Sequence, residues 1–246
     1  MAFYVKPTNA FLTMPAHYKH LFFDLDHTLW DFDANSAHTL LQVYEECRLE
    51  DLGITDYEAF ATSYNEHNER LWARFRNGFL KRDELRWKRF ALTLLDFKIG
   101  DPHLAHELSS AYLEILPNQR RLTPYATEVL EHCKAQGYTM HLITNGFEST
   151  QRQKLQISGI SHYFTHLITS EMSNSMKPQA AIFNFALQTA DAKAEESIMI
   201  GDALEIDILG AFYAGIDQVY YNPARTPHRH KPTYEIASLD ELMNIF

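Results

Sequence analysis

The sequence predicts an α/β protein whose parallel sheet is interrupted, after its first strand, by an inserted helical domain. One observation is the apolar run of residues 20–23, which is typical of a strand buried on both faces. Another is the helical periodicity of residues 34–116, where hardly any strand-like run occurs. The last is the alternation of strands and helices from residue 117 onward, which indicates right-handed crossovers in a parallel sheet.

These patterns divide the chain into three parts. We expect an N-terminal extension over residues 1–16, an α/β core formed by residues 17–33 and 117–246, and a helical cap over residues 34–116. The first strand has to join the later ones because it has no other β partner nearby.

Capping residues and periodicity predict four helices in the cap. Asn35 or Ser36 is expected to cap the first helix, and Asp56 the second. A third helix is predicted from Asp83, and a fourth over residues 102–116. Short loops between them favour a compact bundle.

The core is predicted to contain four further strands and five helices. The strands are expected over 139–144, 164–169, 197–201 and 218–221, and the helices over 126–136, 149–158, 179–189, 206–214 and 239–245.

Charge and composition limit the classes of partner. The chain has 22 basic and 32 acidic residues, a formal charge of −10, which disfavours polymeric nucleic acid. No stretch approaches the ~18 apolar residues of a membrane helix, and no signal-peptide pattern is visible, so we expect no membrane partner. Cys47 and Cys133 are far apart, as in reduced cytoplasmic proteins. The sequence does not decide between a monomer and a homodimer.

The first strand leads directly into two carboxylates, Asp24 and Asp26, with one residue between them. In a regular strand both side chains would share a face, where repulsion opposes ionising both. Ligands of parallel sheets gather at this end of the strands, and a divalent cation would relieve the repulsion. Capping or turn formation is the simpler alternative, since aspartate is common at both places.

Further polar clusters follow other predicted strands. Each alone has a structural explanation, such as a solvated turn, but their order and placement together favour one functional site. They are Thr144-Asn145-Gly146, Lys177-Pro178, and Gly201-Asp202 with Asp207 beyond it.

Taken in order, the four clusters resemble the motifs of the haloacid dehalogenase superfamily of phosphohydrolases. This resemblance implies a Rossmann-like parallel-sheet core with a helical cap inserted after the first strand. A narrower similarity, to the pyrimidine 5′-nucleotidase subgroup, rests on His27, residues 30–35 and residues 232–236. Many family members have glycine where His27 stands.

The resemblance also implies roles for the motif residues. Asp24 would be the nucleophile that forms an aspartyl phosphate, and Asp26 the general acid and base. Thr144 would hold the phosphoryl group, and Lys177 would offset negative charge. Asp207 would orient Lys177 or a metal-bound water.

Magnesium is the cofactor that the resemblance implies. Its ligands would be Asp24, the main-chain carbonyl of Asp26, and Asp202. The remaining candidates for contact with substrate or phosphate are Thr28, Trp30, Asn145 and Gly146.

The predicted function is a Mg²⁺-dependent phosphomonoester hydrolase, with a pyrimidine nucleoside 5′-monophosphate as substrate. Asp26 argues against a dehalogenase, because a departing halide needs no proton. A sugar-phosphate phosphatase or a phosphomutase stays open as the alternative. Cap aromatics such as Trp72, Phe75 and Phe79 are interpreted as packing residues. Trp30 and Phe32 lie nearer the chemistry, where either substrate contact or packing at the hinge of the cap would explain them.

Overall fold

The computed structural model describes residues 18–246, so the extension predicted over residues 1–16 lies outside it. Within the described range, six parallel strands form one sheet in the order β3-β2-β1-β4-β5-β6. The strands are β1 (His20–Phe23), β2 (Thr139–Thr144), β3 (Phe164–Thr169), β4 (Ser197–Gly201), β5 (Asp217–Tyr221) and β6 (Tyr234–Ile236). The α/β fold class predicted from sequence is confirmed.

The long connection between β1 and β2 carries the predicted cap helices. They are α1 (Phe32–Glu46), α2 (Tyr57–Arg76), α3 (Arg82–Asp96) and α4 (Pro102–Ile115). Asp56 caps α2 as predicted, by accepting a hydrogen bond from the Ala59 amide.

The first cap helix begins earlier than predicted. Asp31 caps it by accepting a hydrogen bond from the Ala34 amide at 3.1 Å. Asn35 and Ser36, the predicted caps, are buried inside α1 instead. The Asn35 side chain instead donates a hydrogen bond to the Arg121 carbonyl and accepts one from the Arg121 amide. These two bonds connect the cap to the core.

Helices cover both faces of the sheet. After the cap the chain forms α5 (Ala126–Ala135), α6 (Glu148–Ile157), α7 (Ser170–Ser173), α8 (Ala180–Thr189) and α9 (Leu209–Tyr213). Two apolar clusters cover the sheet. In β1, Phe22 belongs to the cluster that contains Phe183 of α8 and Ala211 of α9, whereas Leu21 and Phe23 belong to the second cluster. Burial of each such side chain contributes about 1.5–3 kcal/mol, so the middle strand is held from both faces.

Several core elements differ from their prediction. The helix predicted over 239–245 is a 3-10 helix, Leu239–Asn244, and the short helix α7 was not predicted. The helix predicted over 206–214 is a π-helical turn, Leu204–Ile208, that continues into α9. The Asp207 carboxylate accepts a hydrogen bond from the Ala203 amide at 3.1 Å. The Ala203 carbonyl in turn accepts a hydrogen bond from the Asp207 amide. This local bonding shapes the turn beside the strand end. The short strand β6 was not predicted.

Two further findings concern the chain outside the sheet. Cys47 and Cys133 are both free thiols. In the part of the chain that the structure describes, no helix is long and apolar enough to cross a membrane.

Candidate active site

Three carboxylates meet at the carboxyl edge of the central strands. Asp24 directly follows β1, and its amide donates to the Ile200 carbonyl of β4. Asp202 follows β4, and Asp207 lies in the π-helical turn beyond it. Each offers an oxygen within 4.8 Å of the others, so this edge concentrates negative charge.

Lys177 joins two of these carboxylates. Its ammonium lies 2.5 Å from Asp24 Oδ1 and 2.7 Å from Asp207 Oδ1, and it donates to the Ile143 carbonyl. Asn145 holds the backbone of Lys177, because its side-chain NH₂ donates to the Lys177 carbonyl and its oxygen accepts from the Lys177 amide. The Lys177 side chain is only 2% exposed, so its position is fixed.

The cluster shifts the pKa values of its members. Burial raises the pKa of Asp24 well above its usual range; Lys177 opposes this rise, and the carboxylates of Asp207 and Asp202 add to it. Burial, and then Asp207, raise the pKa of Asp202 to about 6. Burial would lower the pKa of Lys177, but Asp207 and Asp24 outweigh burial and raise it. One lysine therefore does not balance the three carboxylates, and the site favours a further cation.

Asp26 has a separate set of partners. β1 ends at Phe23, so Asp24 and Asp26 do not continue a regular strand as the sequence had suggested. Lys154 Nζ lies 2.5 Å from Asp26 Oδ1, and Gln151 Nε2 donates to Asp26 Oδ2 at 2.9 Å. Burial acts to raise the pKa of Asp26, but Lys154 outweighs it and lowers this pKa.

Thr144 and Gly146 follow β2 beside Asp26. The Thr144 hydroxyl oxygen accepts hydrogen bonds from Gln151 Nε2 at 2.8 Å and from the Gly146 amide at 3.0 Å. With both lone pairs engaged, the hydroxyl can only donate its own proton. A Cβ at Gly146 would lie 2.3 Å from Gln151 Nε2, so this position has room only for glycine.

Two expected contact residues lie elsewhere than predicted. Thr28 is fully buried, and its hydroxyl donates to Asp202 Oδ1 at 3.0 Å, so it orients that carboxylate. Trp30 is also fully buried, with its ring centroid 4.1 Å from Lys154 Nζ. Neither lines the cavity above the site, because packing against the core covers both, whereas Phe32 does line it.

A cavity of about 510 Å³ lies between the strand ends and α2 of the cap. This volume is in the range of small-molecule sites. Trp72 lines this cavity, whereas Phe75 and Phe79 do not. Phe75 packs on Phe147, and Phe79 is 74% exposed. The other cap residues of α2 that line the cavity are Asn65, Asn68, Glu69 and Arg76.

His27 lies at the edge of the same cavity, in the left-handed region with φ 66°. Its ring packs on Phe32 and forms an ion pair with Asp33. Burial lowers the pKa of His27, but the hydrogen bond to Asp33 and the nearby Asp202 outweigh it and raise it to about 9.

Comparison with known proteins identifies the family of this chain. The sequence model of haloacid dehalogenase-like hydrolases matches residues 18–215. The chain belongs to this family. The predicted resemblance is thereby confirmed, and the protein is an enzyme.

The haloacid dehalogenase-like chain has similar relatives along nearly its whole length. The pyrimidine 5′-nucleotidase PynA of Streptococcus pneumoniae is 33% identical, over 92% of this chain and 94% of the relative. The ribulose-1,5-bisphosphate 5-phosphatase of Halopiger xanaduensis is 32% identical, over 82% of this chain and 84% of the relative. Both of these relatives are phosphatases, which supports phosphatase activity for this chain without specifying its substrate.

A solved structure also resembles this hydrolase closely. The HAD-hydrolase YfnB of Bacillus subtilis, bound to magnesium and described as revealing interdomain movement, is 30% identical. It superposes with a TM-score of 0.83 and covers 93% of this chain and 98% of its own.

The sequence motifs of this hydrolase did not indicate Gln151 and Lys154. Both lie on the inner face of α6, where they are buried together with Leu155. The signal was available: positions i, i+3 and i+4 of an amphipathic helix face inward, and here two of the three are polar. A buried helix face that carries an amide and an ammonium indicates a polar partner inside the core.

Proposed function

We propose that the protein is a Mg²⁺-dependent phosphomonoesterase that hydrolyses pyrimidine nucleoside 5′-monophosphates through an aspartyl-phosphate intermediate. The observation that carries this proposal is the buried cluster of Asp24, Asp202 and Asp207 with Lys177, which faces a cavity covered by the cap. Such a site has a carboxylate nucleophile, cations to balance an anionic substrate, and room for an organic group above it.

The donor set fits magnesium. Three carboxylates converge within 4.8 Å, and all of their ligand atoms are the oxygens that this hard cation prefers. Burial and the neighbouring carboxylates raise the pKa values of Asp24 and Asp202, which supports a cation at this site. Asp24, Asp202 and the main-chain carbonyl of Asp26 would hold the ion. When bound, it supplies charge neutralisation to the phosphoryl oxygens.

The side chains of the protein divide the chemistry between them. A carboxylate oxygen of Asp24 attacks phosphorus, and the bond from phosphorus to the leaving oxygen breaks as Asp26 delivers a proton to that oxygen. Asp26 then takes a proton from the water that cleaves the acyl phosphate, which restores Asp24 and releases phosphate. Lys177 offsets the charge on Asp24, and the Thr144 hydroxyl donates to a phosphoryl oxygen.

The cap side of the cavity supports a nucleoside as the leaving group. Trp72 and Phe32 offer aromatic surface for a base. Asn68 Oδ1 accepts a hydrogen bond from Arg89 at 2.9 Å, which leaves its NH₂ group to donate to a pyrimidine carbonyl. The similarity to a pyrimidine 5′-nucleotidase supports the same substrate class.

A sugar phosphate is the second candidate. The polar residues Asn65, Asn68 and Glu69 on the cap wall suit sugar hydroxyls as well as a base. A relative of similar identity is a phosphatase of a phosphorylated sugar. A phosphomutase would share the first half-reaction and differ in passing the phosphoryl group to a sugar hydroxyl.

The experiment is a panel of nucleoside monophosphates and sugar phosphates, each assayed for phosphate release with Mg²⁺ and with EDTA. We expect the highest kcat/KM for pyrimidine monophosphates and loss of activity in EDTA that added Mg²⁺ restores. Sugar phosphates ranking above nucleotides would overturn the substrate class. Full activity in EDTA would overturn the metal dependence. Activity in Asp24→Asn equal to the parent would overturn the assignment of the nucleophile.

A further inference from the structure

The Asp26 carboxylate is enclosed by two side chains of one helix. Its Oδ1 lies 2.5 Å from Lys154 Nζ, and its Oδ2 accepts from Gln151 Nε2 at 2.9 Å. Gln151 and Lys154 are three positions apart on α6, so they project from the same face of the helix. A single rigid element therefore holds both oxygens of this carboxylate.

Most lysines of a protein are exposed to water, but Lys154 is buried. Its side chain is 2% exposed, and Asp26 is its one ion-pair partner among the described residues. Trp30 covers the ammonium from the other side, with 4.1 Å between Nζ and the ring centroid. A buried ammonium is costly unless it is paired, so its placement ties it to Asp26.

Gln151 links Asp26 to the second polar group at the cavity wall. Its fully buried Nε2 donates both to Asp26 Oδ2 and to Thr144 Oγ1, at 2.9 and 2.8 Å. The same amide thus fixes the position of the Asp26 carboxylate relative to the Thr144 hydroxyl. A Cβ at position 146 would collide with this side chain, so the glycine leaves Gln151 the space that it occupies.

We propose that Lys154, together with Gln151, is a positioning residue that holds the Asp26 carboxyl group at the cavity wall during both proton transfers. This role rests on the proposed function, because it requires Asp26 to act as acid and base. Lys154 is buried behind Asp26 and does not line the cavity in which the substrate would bind. Its effect on the rate therefore has to pass entirely through Asp26.

A double-mutant cycle tests this role. We expect Lys154→Met to lower kcat for a nucleoside monophosphate by about 10²-fold, the lower end of a general acid–base contribution, with little change in KM. In an Asp26→Asn background the same substitution should cause no further loss, because the group through which it acts is gone. Lys154→Arg, which keeps the charge, should recover part of the rate.

The choice of leaving group gives a second readout. Nitrophenolate departs without a proton, so Lys154→Met should retain the first-turnover burst of nitrophenolate from p-nitrophenyl phosphate while its steady-state rate falls. A structural defect would diminish both phases. Lys19→Met, which removes an exposed lysine paired with Glu196 on another part of the core, is the matched control and should behave as the parent.

The outcomes separate this proposal from the proposed function. A parent protein without phosphatase activity overturns the function and, with it, this role. If the parent is active but the losses in kcat caused by Lys154→Met and Asp26→Asn multiply in the double variant, the proposed role of Lys154 is overturned and the proposed function stands. If Lys154→Met fails to unfold cooperatively, Lys154→Gln, which removes the charge but keeps a polar group, replaces it in the same cycle, with Lys19→Gln as its control.

Discussion

Asp24 and Asp26 are one residue apart in the chain, yet their surroundings act on them in opposite directions. The pKa of Asp24 is raised by burial and by two neighbouring carboxylates, although Lys177 opposes the rise. The pKa of Asp26 is lowered because Lys154 and Gln151 outweigh its burial. The two carboxyl groups therefore have different partners: Asp24 shares its site with Lys177 and two carboxylates, whereas Asp26 is held by Lys154 and Gln151.

This division predicts different defects in the two asparagine variants. Asp24→Asn should form no phosphoenzyme, because an amide oxygen is a poor nucleophile. Asp26→Asn should form it from p-nitrophenyl phosphate and accumulate it, because water attack then lacks its base. Mass spectrometry of acid-quenched protein measures the covalent phosphate. Equal absence of phosphoenzyme in both variants would contradict the assignment.

Residue positions that depend on motif spacing were predictable, whereas those that depend on three-dimensional packing were not. Asp24, Lys177 and Asp202 follow strands in the expected order, and the structure brings them together. Trp30 was expected at the substrate because it is near in sequence, but the chain turns it into the core against Lys154. Nothing in a linear motif specifies the direction of that turn.

Elements with one dominant signal were predicted best. The limits of β2, β3 and β4 agree with the sequence because each is an apolar run with polar residues at its end. β6 is a short strand, and only Ile236 of its three residues is buried, so it lacks that signal. The start of α1 was misplaced because Asp31, Asn35 and Ser36 are all good capping residues, and only the path of the chain selects Asp31.

One strand contains a buried histidine whose charge state affects stability. His141 of β2 is 1% exposed, and its ring stacks on Phe22 and on His20 and His166 of the adjacent strands. Burial, with smaller contributions from His20 and His166, lowers the pKa of His141 from 6.5 to about 3. Below about pH 6.5 the unfolded chain binds a proton here that the folded protein excludes, so acid should destabilise the fold.

We therefore expect the free energy of unfolding to fall as the pH decreases from about 6.5 toward 3, and His141→Phe to reduce this slope by up to about 1.4 kcal/mol per pH unit. Urea unfolding at a series of pH values measures the slope. His103→Phe, an exposed histidine in the cap, is the control and should leave it unchanged. The same slope in His141→Phe as in the parent would contradict the prediction.

At the scale of the whole molecule, one of the contacts between the cap and the core is an aromatic side chain next to the active site, Phe147. Phe147 directly follows Gly146 in the core, and it is 6% exposed. It stacks on Trp72 at 5.8 Å and 27°, and the guanidinium carbons of Arg82 and Arg86 lie 4.3 and 4.9 Å from its ring centroid. Arg82 also pairs with Glu171 of the core, which gives a second contact between the cap and the core in this region.

We expect Phe147 to help hold the cap closed over the site, because its partner Trp72 also lines the cavity. An aromatic pair contributes about 0.5–1.5 kcal/mol, and each cation–π contact about 0.5–1 kcal/mol. Phe147→Ala should thus weaken closure enough to lower kcat/KM for a nucleotide by about tenfold or more. The radius of gyration from small-angle scattering should rise as the cap opens. Phe79→Ala, which truncates a cap phenylalanine that is 74% exposed, should change neither quantity. A Phe147→Ala protein with parental kcat/KM and scattering would show that closure does not depend on this contact.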